Sequence, residues 1–264
     1  MTVTSLVDNN TNSDEFKTEH GLSLYIETKN HKILFDMGQS DLFQYNAEAT
    51  GSDLENVDIA ILSHGHYDHG GGLKKFLEIN SKATVYIHEK AFGMYYSGKD
   101  KYIGLDQELR SSDRIIFTNK NLKLDDGIEL INLNEFTPKH PLSNENMNVL
   151  TENGMIPDIF EHEQYLVIKE NQKKVVFSGC SHKGILNISE WLDTDYIFGG
   201  FHLKNTELND EGKTKLTEIT KILKKNNTQY YTCHCTGIEQ YKFMKELMRD
   251  NLFYMYCGST LYIS

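Results

Sequence analysis

Four times along this chain a short apolar run ends, small residues follow, and a histidine appears. Ile59-Ala60-Ile61-Leu62 leads into Ser63-His64, and Val175-Val176-Phe177 into Ser178-Gly179-Cys180-Ser181-His182. Tyr196-Ile197-Phe198 leads into Gly199-Gly200-Phe201-His202, and Gln229-Tyr230-Tyr231 into Thr232-Cys233-His234. Each run reads as a buried strand. If these strands lie side by side in two sheets, the four histidine sites gather at one end of them, where α/β architectures place ligands. The pattern is a weak internal repeat of hairpin, buried strand, histidine-bearing loop and helix. Hairpins are expected over 22–27 with 32–35 and over 163–169 with 173–177, and further strands over 58–62 and 84–88. Helical spacing of apolar residues falls over 72–79, 211–225 and 240–249.

Composition narrows the class. The 264 residues are 39% hydrophobic and 25% charged, a globular balance with ample length for a core. With 27 basic and 38 acidic side chains the formal net charge is −11, which argues against wrapping nucleic acid or lying on an anionic membrane. No apolar run approaches the roughly 18 residues of a spanning helix. Residues 1–12 are polar, with no apolar segment of the kind that directs secretion. Four cysteines (Cys180, Cys233, Cys235 and Cys257) are too few and too unevenly spaced for a disulfide scaffold. A soluble, reduced, cytoplasmic protein is expected, with assembly into a homo-oligomer left open. All three prolines lie within 133–160, the one long irregular excursion expected, and no linker divides the chain. A single domain over 1–264 follows.

The segment Ser63-His64-Gly65-His66-Tyr67-Asp68-His69-Gly70-Gly71-Gly72 holds three of the eleven histidines within six residues. Imidazole and carboxylate are the donors that zinc, manganese and iron accept. Histidines at i and i+2 cannot share a helix face, so this is not the i, i+4 pair of a helical zinc protease. On a loop leaving a strand, His64 and His66 can converge on one cation. Asp68 and His69, opening the next helix, can turn to a second, and Gly65 with the glycine run lets the backbone fold tightly. A solvated histidine-rich turn is the bland alternative, but three imidazoles on a tight loop would repel on protonation.

The His-x-His-x-Asp-His signature after a buried strand resembles the metallo-β-lactamase superfamily, and the resemblance covers nearly the whole chain. Supporting phrases are Ile33-Leu34-Phe35-Asp36-Met37-Gly38-Gln39 and Val57-Asp58. Gly179-Cys180-Ser181-His182, Gly199-Gly200-Phe201-His202-Leu203 and His234-Cys235-Thr236-Gly237 resemble a narrower branch, named for dihydropterin-ribofuranosylaminobenzene-phosphate synthase. The resemblance implies a four-layer αββα sandwich of two mixed sheets with helices on the outer faces. It implies two divalent metal ions, zinc first, with manganese or iron as alternatives. His64, His66 and one later histidine would hold the first ion, and Asp68, His69 and His234 the second. Two candidates compete for the later histidine: His182, which ends a strong strand, is favoured over His140, which lies between two prolines. Cys180 stands where many superfamily members carry a bridging aspartate, and both a ligand and a packing role stay open for it.

The implied activity is hydrolysis of an ester, phosphoester or lactam-like bond by a metal-bound hydroxide, on a pterin-like or other ring-containing substrate. Asp68 would orient the nucleophile and relay its proton, and His202 would line the pocket as a substrate or proton-transfer group. Cys233 and Cys235 read as packing, because alternation on a strand end points them away from His234. Glu19-His20-Gly21 and His162-Glu163-Gln164 lie near the rim and read as structural. Tyr95, Tyr96 and Tyr102 suit an aromatic flap over the pocket, with a packed loop as an even alternative. A competing reading, resting on Cys180, is a metal-binding redox or cofactor-sensing protein without turnover.

Overall fold

The computed structural model of the protein describes residues 1–143 and 146–264. Strands of the first half are β1 (Thr2–Val7), β2 (Ser23–Glu27), β3 (Lys32–Phe35), β4 (Ile59–Ile61), β5 (Thr84–His88), β6 (Met94–Ser97), β7 (Lys101–Tyr102) and β8 (Ile115–Thr118). Those of the second are β9 (Leu122–Asp125), β10 (Ile128–Ile131), β11 (Met147–Thr151), β12 (Gly154–Pro157), β13 (Tyr165–Glu170), β14 (Lys173–Phe177), β15 (Tyr196–Gly199), β16 (Gln229–Thr232), β17 (Leu252–Tyr254) and β18 (Thr260–Tyr262). The helices are α1 (Leu42–Thr50), α2 (Tyr67–Gly70), α3 (Leu73–Ile79), α4 (Ile185–Leu192), α5 (Asp210–Leu223) and α6 (Ile238–Met248).

Two seven-stranded sheets result, ordered β18-β1-β2-β3-β4-β5-β8 and β17-β16-β15-β14-β13-β10-β9. Each is mixed in the same sense. In the first, β18, β1, β2 and β3 pair antiparallel, and β3, β4, β5 and β8 pair parallel. In the second, β14 to β17 pair parallel, and β14, β13, β10 and β9 antiparallel.

Period-two alternation decides which residues go inward. Leu24, Ile26, Ile33 and Phe35 of one sheet meet Leu166, Ile168, Val175 and Phe177 of the other in a shared inter-sheet core. Phe177 lies 6.1 Å from Phe35 and 5.2 Å from Phe198, centroid to centroid. Burying each such ring stabilises the fold by about 1.5–3 kcal/mol. The alternate residues Leu34, Ala60, Val85 and Ile87 face Phe43 and Ala47 of α1 and Leu73 and Phe76 of α3. On the far side Val167, Val176, Ile197 and Tyr230 face Ile188 of α4, Leu216 and Leu223 of α5 and Met244 of α6. The layers run helix, sheet, sheet, helix: a four-layer αββα sandwich.

Two expectations need correction. Residues 133–160 are not wholly irregular, because β11 and β12 form a hairpin that joins β6 and β7 in a third, four-stranded sheet, with Val149 opposite Tyr95. The hairpin itself is local, turning at Glu152-Asn153, but its pairing with β6 spans about 50 residues of chain. The polar stretch 1–12 contains β1, whose Val3, Leu6 and Val7 are buried and which is held by β2 and β18 on its two sides. No helix among the described residues is long and apolar enough to cross a membrane.

Candidate metal centre

The parallel strands of both sheets end on the same side, and their loops meet there. β3 delivers Asp36, β4 the 63–69 loop and α2, β14 the 179–182 loop, β15 His202 and β16 His234. Asp36, Ser181, His202 and His234 adopt left-handed φ values of 61°, 56°, 52° and 45°. Such conformations cost of order 1–3 kcal/mol each in non-glycine residues and cluster at functional sites. They turn the chain sharply at each strand end, so consecutive side chains cease to alternate between faces.

His64, His66 and His182 come together with their ligand atoms within 4.8 Å of one another. The Nε2 atom of each is buried without a hydrogen-bond partner. Outer contacts set the ring orientation. His64 Nδ1 lies 2.8 Å from Ser63 Oγ, which donates to Asp36 Oδ2 (2.7 Å), so the imidazole donates through Nδ1 and its Nε2 is left as a lone pair. His182 Nδ1 likewise donates to the Ser143 carbonyl, at 3.2 Å. His140 is elsewhere: its Nε2 pairs with Glu190 Oε1 at 3.1 Å.

A second group adjoins the first. His69 donates from Nδ1 to Asp36 Oδ2 (2.7 Å), which aims Nε2 at Cys180 Sγ (3.2 Å) and, at 3.9 Å, Asp68 Oδ2. His234 donates from Nδ1 to Asn9 Oδ1 (2.8 Å), an oxygen that also accepts from Gly21 N. Its bare Nε2 therefore faces Asp68 Oδ2 at 3.3 Å. Two acceptors pointed at each other without a proton between them fit a shared cation.

Electrostatics agree. Burial, then the neighbouring His69, holds His64 well below the usual imidazole range; burial likewise takes His66 down to about 3 and lowers His182 and His234. These rings are neutral donors. Burial would raise Asp68, but His69, His20 and His234 hold it well below the usual carboxylate range. Burial would lower His69, yet the Asp36 and Asp68 carboxylates carry it up to about 9. Four neutral rings and one carboxylate thus stand as candidate metal donors in the site.

Other residues fall in and out of the expected places. His20, read as structural, lies in the centre, its Nε2 3.1 Å from Asp68 Oδ2 and its ring 4.9 Å from His234. His162, Glu163 and Gln164 are structural: His162 Nδ1 accepts from Gly65 N, Glu163 accepts from the amides of His182 and Lys183, and Gln164 donates to the Leu62 carbonyl. Together they tie the second sheet to the loop after β4. Cys233 packs in the inter-sheet core, as expected. Cys235 does not: it lines the site with Cys180, because the strand stops at Thr232 and the left-handed turn at His234 breaks the alternation. Tyr95 is no flap, being buried beside His162 at 4.1 Å with its hydroxyl donating to the Lys90 carbonyl. Tyr96 and Tyr102 meet edge-on near the surface. Asp8 and Asn9, which accept from the His234 backbone and ring, were missed along with β1.

The centre opens into a cavity of about 130 Å³, with Lys101 and Lys204 among its walls. A larger one of about 480 Å³ adjoins it, mostly apolar, lined by Ile185, Leu186, Phe201, Ile219 and Ile222. His202 and Asn205 belong to both. His202 Nδ1 is buried without a partner, and its ring lies 4.4 Å from that of His182.

Comparison with known proteins fits this picture. Residues 17–196 match the family model of the metallo-beta-lactamase superfamily. An uncharacterized protein of Methanocaldococcus jannaschii is 31% identical over 97% of this chain and 98% of its own length. The 7,8-dihydropterin-6-methyl-4-(beta-D-ribofuranosyl)-aminobenzene-5'-phosphate synthase of the same organism is 28% identical over 89% of this chain and 87% of its own. The crystal structure of Tm1679, a metal-dependent hydrolase of the β-lactamase superfamily, matches at a TM-score of 0.84 and 28% identity, covering 100% of this chain and 99% of that one. Zinc-bound PqqB from Methylobacterium extorquens shares the fold at a TM-score of 0.61 and 13% identity, each chain covered in full.

Proposed function

The chain belongs to the metallo-β-lactamase superfamily, and from that premise we propose that it is a metal-dependent hydrolase of a small ring-bearing molecule, cleaving an ester, phosphoester or lactam-like bond. The observation that carries the reading is the convergence of three neutral imidazoles, His64, His66 and His182, whose buried Nε2 atoms have no partner. In this reading they hold one divalent ion, and Asp68, His69 and His234 a second, zinc first. Bound ions of this kind supply Lewis acidity and bring the pKa of water from about 15.7 towards 7.

The chain's own residues do the rest. Asp68, held anionic by its three histidine neighbours, accepts a proton from the attacking water and keeps the nucleophile oriented. His202 stands between the two cavities, where its unpartnered Nδ1 meets the leaving group or the substrate body. The larger cavity has the size and apolar lining of a small-molecule site. A relative named for synthesis of a pterin-bearing ribofuranosyl phosphate supports a ring and a phosphate in the substrate. Lys101 and Lys204 at the smaller cavity suit an anionic group. The protein works as one domain in the cytoplasm, without nucleic acid or membrane.

The test is metal analysis of protein purified without chelator, followed by turnover of phosphodiester, thioester and lactone substrates. Two equivalents lost in stages by His64→Ala and His69→Ala, with metal-dependent turnover, support the reading; tight folding with no bound metal overturns it. The synthase relative favours a second reading, group transfer to an acceptor other than water. Incorporation of solvent oxygen into product separates the two.

A further inference from the structure

Cys180 and Cys235 are two buried groups in the centre to which the proposed hydrolysis gives no role. Both are buried, at 3% and 1% exposure. Cys180 Sγ belongs to three of the clusters that gather here: with His64 and His69, with His182 and His202, and with His234 and Cys235, the ligand atoms of each lying within 4.8 Å of one another. It thus stands between the two histidine groups. Cys235 reaches the same place by a separate route. Its carbonyl accepts from Leu203 N and Lys204 N, at 3.0 Å each, which pins the turn after β16. Its sulfur fits only because residue 200 is glycine, since a Cβ there would stand 2.3 Å from it. The bare, buried Nε2 of His234 completes the cluster and has no hydrogen-bond partner.

The geometry points to a sulfur-bearing metal site: Cys180, Cys235 and His234 supply two thiolates and an imidazole to the second ion, and Cys180 is shared with the first. The assignment rests on the two-ion reading above and deepens it. Each cysteine that binds gives up its S–H proton to solvent as the sulfur–metal bond forms, and no electrons move. The chemical consequence is selectivity. Thiolate favours zinc or iron(II), whereas a set of carboxylate and carbonyl oxygens would favour magnesium or manganese.

The experiment is a cobalt(II) titration of the full-length, metal-stripped protein followed by absorption spectroscopy. A thiolate-to-cobalt charge-transfer band in the near ultraviolet is expected in the wild type, which needs no variant to fold. Cys180→Ser and Cys235→Ser each weaken the band and the double variant abolishes it. Cys235→Ser also weakens second-ion affinity by at least about the tenfold that loss of an outer partner alone costs. Cobalt bound without a sulfur band overturns this assignment and leaves the hydrolase reading standing. No cobalt bound at all overturns both.

Discussion

Asp36 never faces the cavity, yet replacing it by asparagine should impair the second ion more than it impairs the fold. Its carboxylate accepts three hydrogen bonds of 2.7 Å, from Ser63 N to Oδ1 and from Ser63 Oγ and His69 Nδ1 to Oδ2. The asparagine amide would keep the shape and the first bond. At the Oδ2 position it would present N–H groups to two donors. Bonds to charged groups are worth about 1.5–3 kcal/mol each, so the unrelaxed loss is about 3–6 kcal/mol. Relaxation is available, because Ser63 can turn its hydroxyl and His69 can accept through Nδ1. A residual loss of about 2 kcal/mol lowers the Tm by roughly 4–8 °C. The relaxation moves the His69 proton to Nε2, the atom 3.2 Å from Cys180 that should bear the lone pair. Second-ion affinity in Asp36→Asn should therefore fall by about 10–100-fold, as for other outer partners of metal-bound histidines. Competition against a chromogenic chelator reads this directly, with circular dichroism as the control for folding. A folded variant that binds both ions with wild-type affinity would refute the tautomer argument.

His182→Ala should lose one metal equivalent by mass spectrometry, while His140→Ala, whose ring is engaged with Glu190, should lose none. Gly200→Ala places a methyl group 2.3 Å from Cys235 Sγ and should cost about 1–3 kcal/mol of overpacking, seen as a lower Tm in both metal-free and loaded protein. Stripping the metals should lower the Tm of the wild type by mass action, and restoring zinc should recover it. For His31, burial lowers the pKa but hydrogen bonds to Asp125 and Asp58 raise it above 6.5 overall. A raised imidazole gives its stabilisation in full below 6.5 and loses it as the pH climbs through the folded value. The Tm gap between wild type and His31→Gln should accordingly be widest in acid and close in alkali; a gap independent of pH would count against the pairing.

What could be read from the sequence followed local pattern. The β4 run 59–61, the β5 run 84–88 and both hairpins declare themselves because burial on one or both faces leaves an apolar or alternating signature in a few consecutive residues. The histidines are legible for the same reason, each lying just past such a run. Features set by distant partners were not. β1 is held between β2 and β18, and β11 between β12 and β6; without these partners the three apolar residues of each strand leave only a short, irregular signature. Helix α1 buries little beyond Phe43, Asn46 and Ala47, too weak a stripe to stand out. Cys235 was misplaced by extending strand alternation three residues beyond the end of β16, into a turn whose left-handed φ at His234 no sequence pattern marks.

His202 is a party wall between a small polar chamber and a large apolar one, and the two are furnished from different stretches of the chain. The histidine-bearing segments of the polar chamber follow strand ends, whereas the apolar one takes much of its lining from helix side chains, Ile185 and Leu186 on α4 and Ile219 and Ile222 on α5. The two chambers are consequently separable inheritances. Exchanging the bulk of Ile219 or Ile222 resizes the apolar chamber and leaves the histidine-bearing loops untouched. A lineage built on this scaffold can reshape the apolar chamber one helix residue at a time while the strand-end loops stay as they are.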